Sequence, residues 1–219
     1  MVSETTRTAC LNAFLALVAE QGFERVTFAQ IAARAGVPLS QMRVGFASTF
    51  DVLAAFSKSV DLEVLAEGGL AEDMAGEGPH ERLFEVLMRR LDALELHRAA
   101  IASLRNSARR NPALAAALLK NNTQSQRWML AAAGIDAAGL EGDVKAHGLA
   151  VLFARVVEVW LKDEDPGLSR TMAALDGELR RGAKLLDMLD DLAYIALPGR
   201  VRRASASVAA PGGEASQEA

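Results

Sequence analysis

The chain has 219 residues with a net charge of −4, one cysteine and one tyrosine, and just over half of its residues are hydrophobic. That length buries enough apolar surface to fold without metal or disulfide staples, and a lone Cys10 among Ala9, Leu11 and Phe14 excludes an internal bridge and reads as a buried thiol. The acidic balance argues against indiscriminate nucleic-acid binding, and abundant Ala, Leu, Arg and Glu with little Tyr, Thr or Ile favours helix over strand.

In chain order, the first helix is predicted over 3–21, with Leu11, Phe14, Leu15 and Val18 forming its apolar stripe and Gly22 ending it. Thr27 followed by Gln30 is a capping box, so a second helix runs over 28–35 and stops at Gly36. Only a turn fits before the next short helix, 39–45, which must therefore cross its predecessor steeply, as in a helix-turn-helix. Ser48 with Asp51 opens a longer helix through Phe56 and Val60 to about 66.

The stretch "EGGLAEDMAGEGPH", 67–80, reads as a connection to a larger helical body with helices near 81–96, 98–110, 112–133, 142–163 and 167–189. Asn111–Pro112, "GIDAAGLEG" and Asp165–Pro166 punctuate it, the prolines marking first helical positions and Asp165 an N-cap. The most apolar run, 148–163, is interrupted by Arg155 and Glu158 and falls short of the ~20 residues that span a bilayer. The N-terminus has no signal-peptide pattern, so a cytoplasmic location is expected. From Pro198 onward the chain has too few large apolar residues to pack and is expected to be a disordered tail.

Residues 14–56, "FLALVAEQGFERVTFAQIAARAGVPLSQMRVGFASTFDVLAAF", resemble the N-terminal module of TetR-type transcriptional regulators, with Phe14, Ala19, Gly22, Phe23, Thr27, Ile31, Ala32, Ala35, Gly36, Val37, Phe46, Ser48 and Leu53 in the family's places. The resemblance implies an all-α, TetR-like fold: a three-helix DNA-binding module over 1–56, a helical ligand-binding and dimerisation body over 57–197, and the tail 198–219. It further implies a homodimer that binds a palindromic operator as a repressor and responds to a small apolar or amphipathic ligand. No cofactor is expected.

Gln41 and Arg43 are candidates for reading bases, since each can bond bidentately, to adenine and guanine respectively. Thr27, Gln30, Ser40 and Thr49 are candidates for phosphate contacts, and Leu39 and Val44 complete the DNA-binding set. Departures from the family pattern weaken this footprint: Arg43 takes the place of an aromatic, Val44 and Gly45 follow it, and Thr49 replaces a lysine. Residues 1–56 carry Arg7, Arg25, Arg34 and Arg43 against Glu4, Glu20, Glu24 and Asp51, so phosphate neutralisation contributes little, and a helix-turn-helix that no longer binds DNA stands as the other reading.

For the ligand, Trp128, Met129, Phe153, Val156 and Trp160 are candidate apolar lining, while Arg127, His147 and Arg155 could orient an anionic or carbonyl group; the alternative is plain core or dimer interface, with the arginines solvated or paired with Glu158 and nearby acids. Leu168, Met172, Leu175, Leu179 and Leu186 recur at seam spacing in the last helix, which fits a dimer interface or an intramolecular core face. His80, His97 and His147 lie far apart without ligand-spaced partners, and no nucleophile motif is found, so neither a metal site nor an enzyme is expected.

A looser similarity links residues 125–140 and 148–179 to ubiquinone-biosynthesis accessory proteins of the same fold, which implies lipid binding without DNA. That family's terminal membrane-docking helix has only a partial counterpart here, "LDDLAYIALPGRVRR" from Leu189, cut by Pro198.

Overall fold

Two glycines set the spacing of the first three helices. A computed structural model describes residues 3–66 and 76–196, with side chains as far as 185. Helix α1 (Glu4–Gln21) starts on Ser3, whose side chain accepts the Thr6 N–H, and ends at Gly22, whose φ of 84° an L side chain rarely adopts. A single 3-10 turn, Phe23–Arg25, leads to α2 (Phe28–Ala35), which begins on the Thr27–Gln30 capping box.

Gly36 then takes a left-handed conformation, and the Val37 and Gly36 N–H groups bond to the Ala32 and Ala33 carbonyls at 3.0 and 3.3 Å. This Schellman pattern satisfies the open carbonyls and redirects the chain within three residues into α3 (Leu39–Gly45). Met42 on α3 and Phe46 just after it are buried, which seats the short helix on the module's core.

Helix α4 (Thr49–Ala66) runs without a break through residue 56, the expected end of the module. The body continues with α5 (Pro79–Glu95), α6 (Arg98–Ala108), α7 (Pro112–Ala132), α8 (Gly139–Trp160) and α9 (Ser169–Ala196). The described residues are helical with turns between and contain no strand. Among them, no helix is long and apolar enough to cross a membrane.

Helix α1 packs against α2, α4 and α6, while α7 packs against α4, α5, α6 and α8. One core therefore runs from Phe14 and Ile31 through Leu53, Leu87, Leu91 and Met129 to Phe153 and Trp160. Polar ties reinforce the join: the Ser103 hydroxyl donates to the Val18 carbonyl at 2.6 Å, and Glu24 accepts from Ser107 at 2.8 Å. The contacts divide the chain into two compact units, 1–182 and 183–219.

The last two helices begin and end where long-range bonds place them. Helix α8 ends at Trp160 rather than 163, because the buried Asp163 carboxylate accepts the Thr171 N–H and hydroxyl at 2.8 and 2.7 Å, closing 161–168 as a turn. Pro166 lies within that turn instead of opening a helix. Asp165 accepts from the Gly167 and Ser169 N–H groups at 3.1 and 3.2 Å, so it does cap the start of α9, but two residues later than expected. Helix α9 continues to Ala196, past the expected 189; the tail 198–219 lies outside the described residues.

The hydrogen bonds from Thr171, its hydroxyl above all, hold the Asp163 carboxyl below its ordinary pKa. A depressed folded-state pKa contributes stability that is complete above the unfolded pKa and is lost as pH falls through the folded one. Asp163→Asn should therefore lower Tm at neutral pH, with the gap to wild type narrowing through and below the usual carboxylate range. Thermal melts followed by circular dichroism across that range test it, and a gap independent of pH would show that the carboxylate charge is irrelevant.

Candidate nucleic-acid interface and ligand cleft

Helix α3 divides cleanly into two faces. Met42 points into the core, whereas Leu39, Ser40, Gln41, Arg43 and Val44 are exposed, Val44 to 70%. Among the described residues Arg43 has no ion pair. Its guanidinium and the Gln41 amide are thus free to meet a base edge, and the flanking Leu39 and Val44 offer apolar surface of the kind that meets thymine methyl groups.

The acids of the module are mostly engaged within the chain. Glu20 pairs with Arg34 at 2.6 Å, Glu24 is bonded to Ser107, and Asp51 caps α4 by accepting the Ala47 and Ser48 N–H groups at 2.8 and 3.0 Å. Thr49 is the first residue of α4 and is partly exposed.

Thr27 and Gln30 are placed differently from the expectation of phosphate contacts. Gln30 Oε1 accepts the Thr27 N–H at 2.9 Å, the Thr27 hydroxyl at 3.0 Å and the Gln21 amide at 3.2 Å. The hydroxyl hydrogen of Thr27 is thereby engaged in the cap that starts α2, and both side chains serve the turn.

The expected ligand set does not converge. Met129, Phe153, Val156 and Trp160 are buried in the shared core, because α7 and α8 pack face to face and their inward side chains fill each other's grooves. Arg127 pairs with Asp143 at 2.6 Å and Arg155 with Glu178 at 3.4 Å, both on the surface, and His147 is exposed. Of the eight residues, Trp128 lines a cleft between α7 and the N-terminal helices.

That cleft, of about 530 Å3, opens between α7 on one side and the start of α1, the end of α3 and α4 on the other. Phe46, Ala54, Leu62, Leu65 and Trp128 give it apolar walls, and Arg7, Lys58, Asn121 and Gln124 stand among them. Asp61 and Ser125 also line it, with Asp61 paired to the buried Arg90 and accepting the Ser125 hydroxyl at 2.9 Å. Sequence reasoning missed this site, whose one local signal is an acid, Asp61, beside Val60 in the apolar stripe of α4. Among the described residues, no group of three or more His, Cys, Asp or Glu side chains could hold a metal ion.

The seam expected in the last helix is also corrected. Leu175 and Leu179 are buried in the chain's own core, so those two side chains are not available to a partner; Leu168 is partly buried against that core, Met172 is exposed, and Leu186 lies outside the described side chains. Exposed large apolar residues on the last two helices include Leu140, Val144 and Val151 on α8, at spacings of four and seven, and Met172 and Leu185 on α9.

No protein-family model matches the chain, and no curated protein matches it significantly. Solved structures do. A TetR transcriptional regulator from Nitrosomonas europaea is 22% identical with a TM-score of 0.62, over 81% of this chain and 97% of that one. One from Rhodococcus sp. RHA1 is 22% identical with a TM-score of 0.55, over 83% and 95%. NalD, the secondary repressor of the MexAB-OprM multidrug efflux pump in Pseudomonas aeruginosa, is 20% identical with a TM-score of 0.51, over 81% and 97%. The chain has the fold of the TetR-family transcriptional regulators: a helix-turn-helix module joined to an all-helical body.

Proposed function

We propose that the chain is a ligand-responsive transcriptional regulator rather than an enzyme, a homodimeric repressor acting in the cytoplasm. Residues 1–56 serve as the reading module and 57–197 as the part that holds ligand and partner. The observation that carries this reading is the exposed face of α3, where Gln41 and Arg43 stand free on a helix anchored by Met42. The fold shared with NalD, itself described as a repressor, supports it.

Two copies related by a two-fold axis present two such helices, which read a palindrome when they fall one helical turn apart, about 34–36 Å. The exposed face of α8, with Val144 and Val151, and Met172 of α9 is the surface proposed for pairing. Ligand binding would change the separation of the two reading helices. With the charges of the module balanced, affinity rests more on base contacts than on counterion release, and its salt dependence should be shallow.

The test is selection of an operator from random DNA followed by fluorescence anisotropy with selected and scrambled duplexes. Arg43→Ala should reduce the preference for the selected site by roughly 1–3 kcal/mol while fold and dimer persist, as judged by circular dichroism and light scattering. Unchanged preference in that variant would remove Arg43 from base reading.

A further inference from the structure

We infer that the cleft between α7 and the reading module takes a small amphipathic anion, an apolar body carrying one carboxylate, and that its occupancy positions α3. The second half of this inference rests on the regulatory reading above; the first half does not. At about 530 Å3 the cleft falls in the range of small-molecule sites, roughly 300–1,000 Å3. Phe46, Leu62, Leu65 and Trp128 provide an apolar wall, with Trp128 half exposed rather than packed.

The charge of the ligand follows from which groups in the cleft are already satisfied. Four charged side chains line it: Arg7, Asp51, Lys58 and Asp61. Both oxygens of Asp61 are occupied, one by Arg90 and the other by Ser125, and Asp51 is bonded to the backbone at the start of α4. Arg7 and Lys58, by contrast, have no ion pair among the described residues; the Arg7 guanidinium lies 5.5 Å from the centre of the Phe46 ring. Asp51 uses Oδ2 alone in its backbone bonds, so two unpaired cations stand against one acid bonded only to backbone; the surplus is positive and favours a carboxylate over a cation.

The cleft also spans a mechanical boundary. Phe46 closes α3, its N–H bonding the Met42 carbonyl at 3.0 Å, and lies three residues beyond Arg43. Across the cleft stand Asn121, Gln124 and Trp128 of α7. A ligand held by both walls interacts differently with each position of α3 relative to the body, which is the requirement for shifting that equilibrium.

Isothermal titration of the full chain with 2-naphthoate and with decanoate tests the site without DNA. Each should bind at one equivalent per chain, and 2-naphthoate roughly tenfold more tightly than uncharged 2-naphthalenemethanol. Arg7→Gln and Lys58→Gln should each weaken both anions by about tenfold, whereas Lys120→Gln, an exposed change on α7 outside the cleft, should not. No binding by either anion, equal binding of the uncharged probe, or wild-type affinity in the Arg7 and Lys58 variants would overturn the site. Anisotropy with the selected operator reads the coupling: anions that bind through Lys58 yet leave DNA affinity unchanged would overturn the coupling alone. Failure of the unliganded protein to select any DNA would overturn the regulatory reading and leave the anion site standing.

Discussion

Asp61→Ala should destabilise the protein by about 3–5 kcal/mol, the penalty for leaving a buried charge without its partner. Asp61 on α4 and Arg90 on α5 are 7% and 5% exposed, and their ion pair is sealed by Ser125 from α7 and by the Phe153 ring of α8, whose centre is 5.8 Å from the guanidinium. Burial pushes the Arg90 pKa down, and the Asp61 carboxylate opposes that shift. Without the carboxylate, desolvation of the guanidinium is uncompensated, and the Arg90 Nε already has no partner among the described residues.

Replacing both partners by apolar residues, as in Asp61→Leu with Arg90→Met, should recover most of the loss, since matched hydrophobic replacement of a buried pair is often neutral or better. Urea unfolding of the two single variants and the double variant gives the coupling directly. A single Asp61→Ala variant within about 1 kcal/mol of wild type would mean that water reaches Arg90 readily enough to solvate it.

Trp160→Ala should cost a similar amount, about 3–5 kcal/mol, because a fully buried aromatic side chain leaves a cavity its neighbours only partly fill. The indole is fixed on several sides: its N–H donates to Glu95 at 3.1 Å, and the Arg98 guanidinium lies 4.9 Å from the ring centre. Arg98 also donates to the Trp160 carbonyl, tying the end of α8 to the start of α6. Trp160→Phe keeps most of the volume and loses the Glu95 bond, so it should cost about 1–2 kcal/mol, whereas Trp128→Ala, at a half-exposed position, should cost less still. Chemical denaturation ranks the three. If Trp160→Ala proved as mild as Trp128→Ala, the core packing around the end of α8 would be refuted.

The contrast between these tryptophans shows where sequence reasoning reached its limit. Both sit among apolar neighbours in helices, and periodicity cannot say whether such a side chain faces a cleft or a packed helix. The same ambiguity affected the last helix, where the spacing of Leu175 and Leu179 suits a partner's helix and the chain's own core equally well. Pairing of Arg127 and Arg155 with acids is an open alternative in the sequence, but their partners, Asp143 and Glu178, lie 16 and 23 residues away and only the fold names them.

What could be read locally was read well. The bounds of α2 and α3 agree with expectation because the Thr27–Gln30 box, Gly36 and the brief turn before Leu39 act over a few residues. On α3 the fold leaves Leu39, Ser40, Gln41, Arg43 and Val44 exposed and turns Met42 inward. The bounds of α8 and α9 were less legible because Asp163, Thr171 and Arg98 set them through side-chain bonds, the last acting across 65 residues to the Asp163 carbonyl.

By itself, then, the amino-acid sequence determined an all-helical chain with a helix-turn-helix near its start, since capping, glycine stops and apolar periodicity are properties of neighbouring residues. Only the tertiary structure decided which apolar side chains are core, that Thr27 and Gln30 are engaged in a cap, and that α1, α3, α4 and α7 line a cleft with two cations unpaired among the described residues. Burial and charge pairing depend on which helices meet, and that is settled by long-range packing.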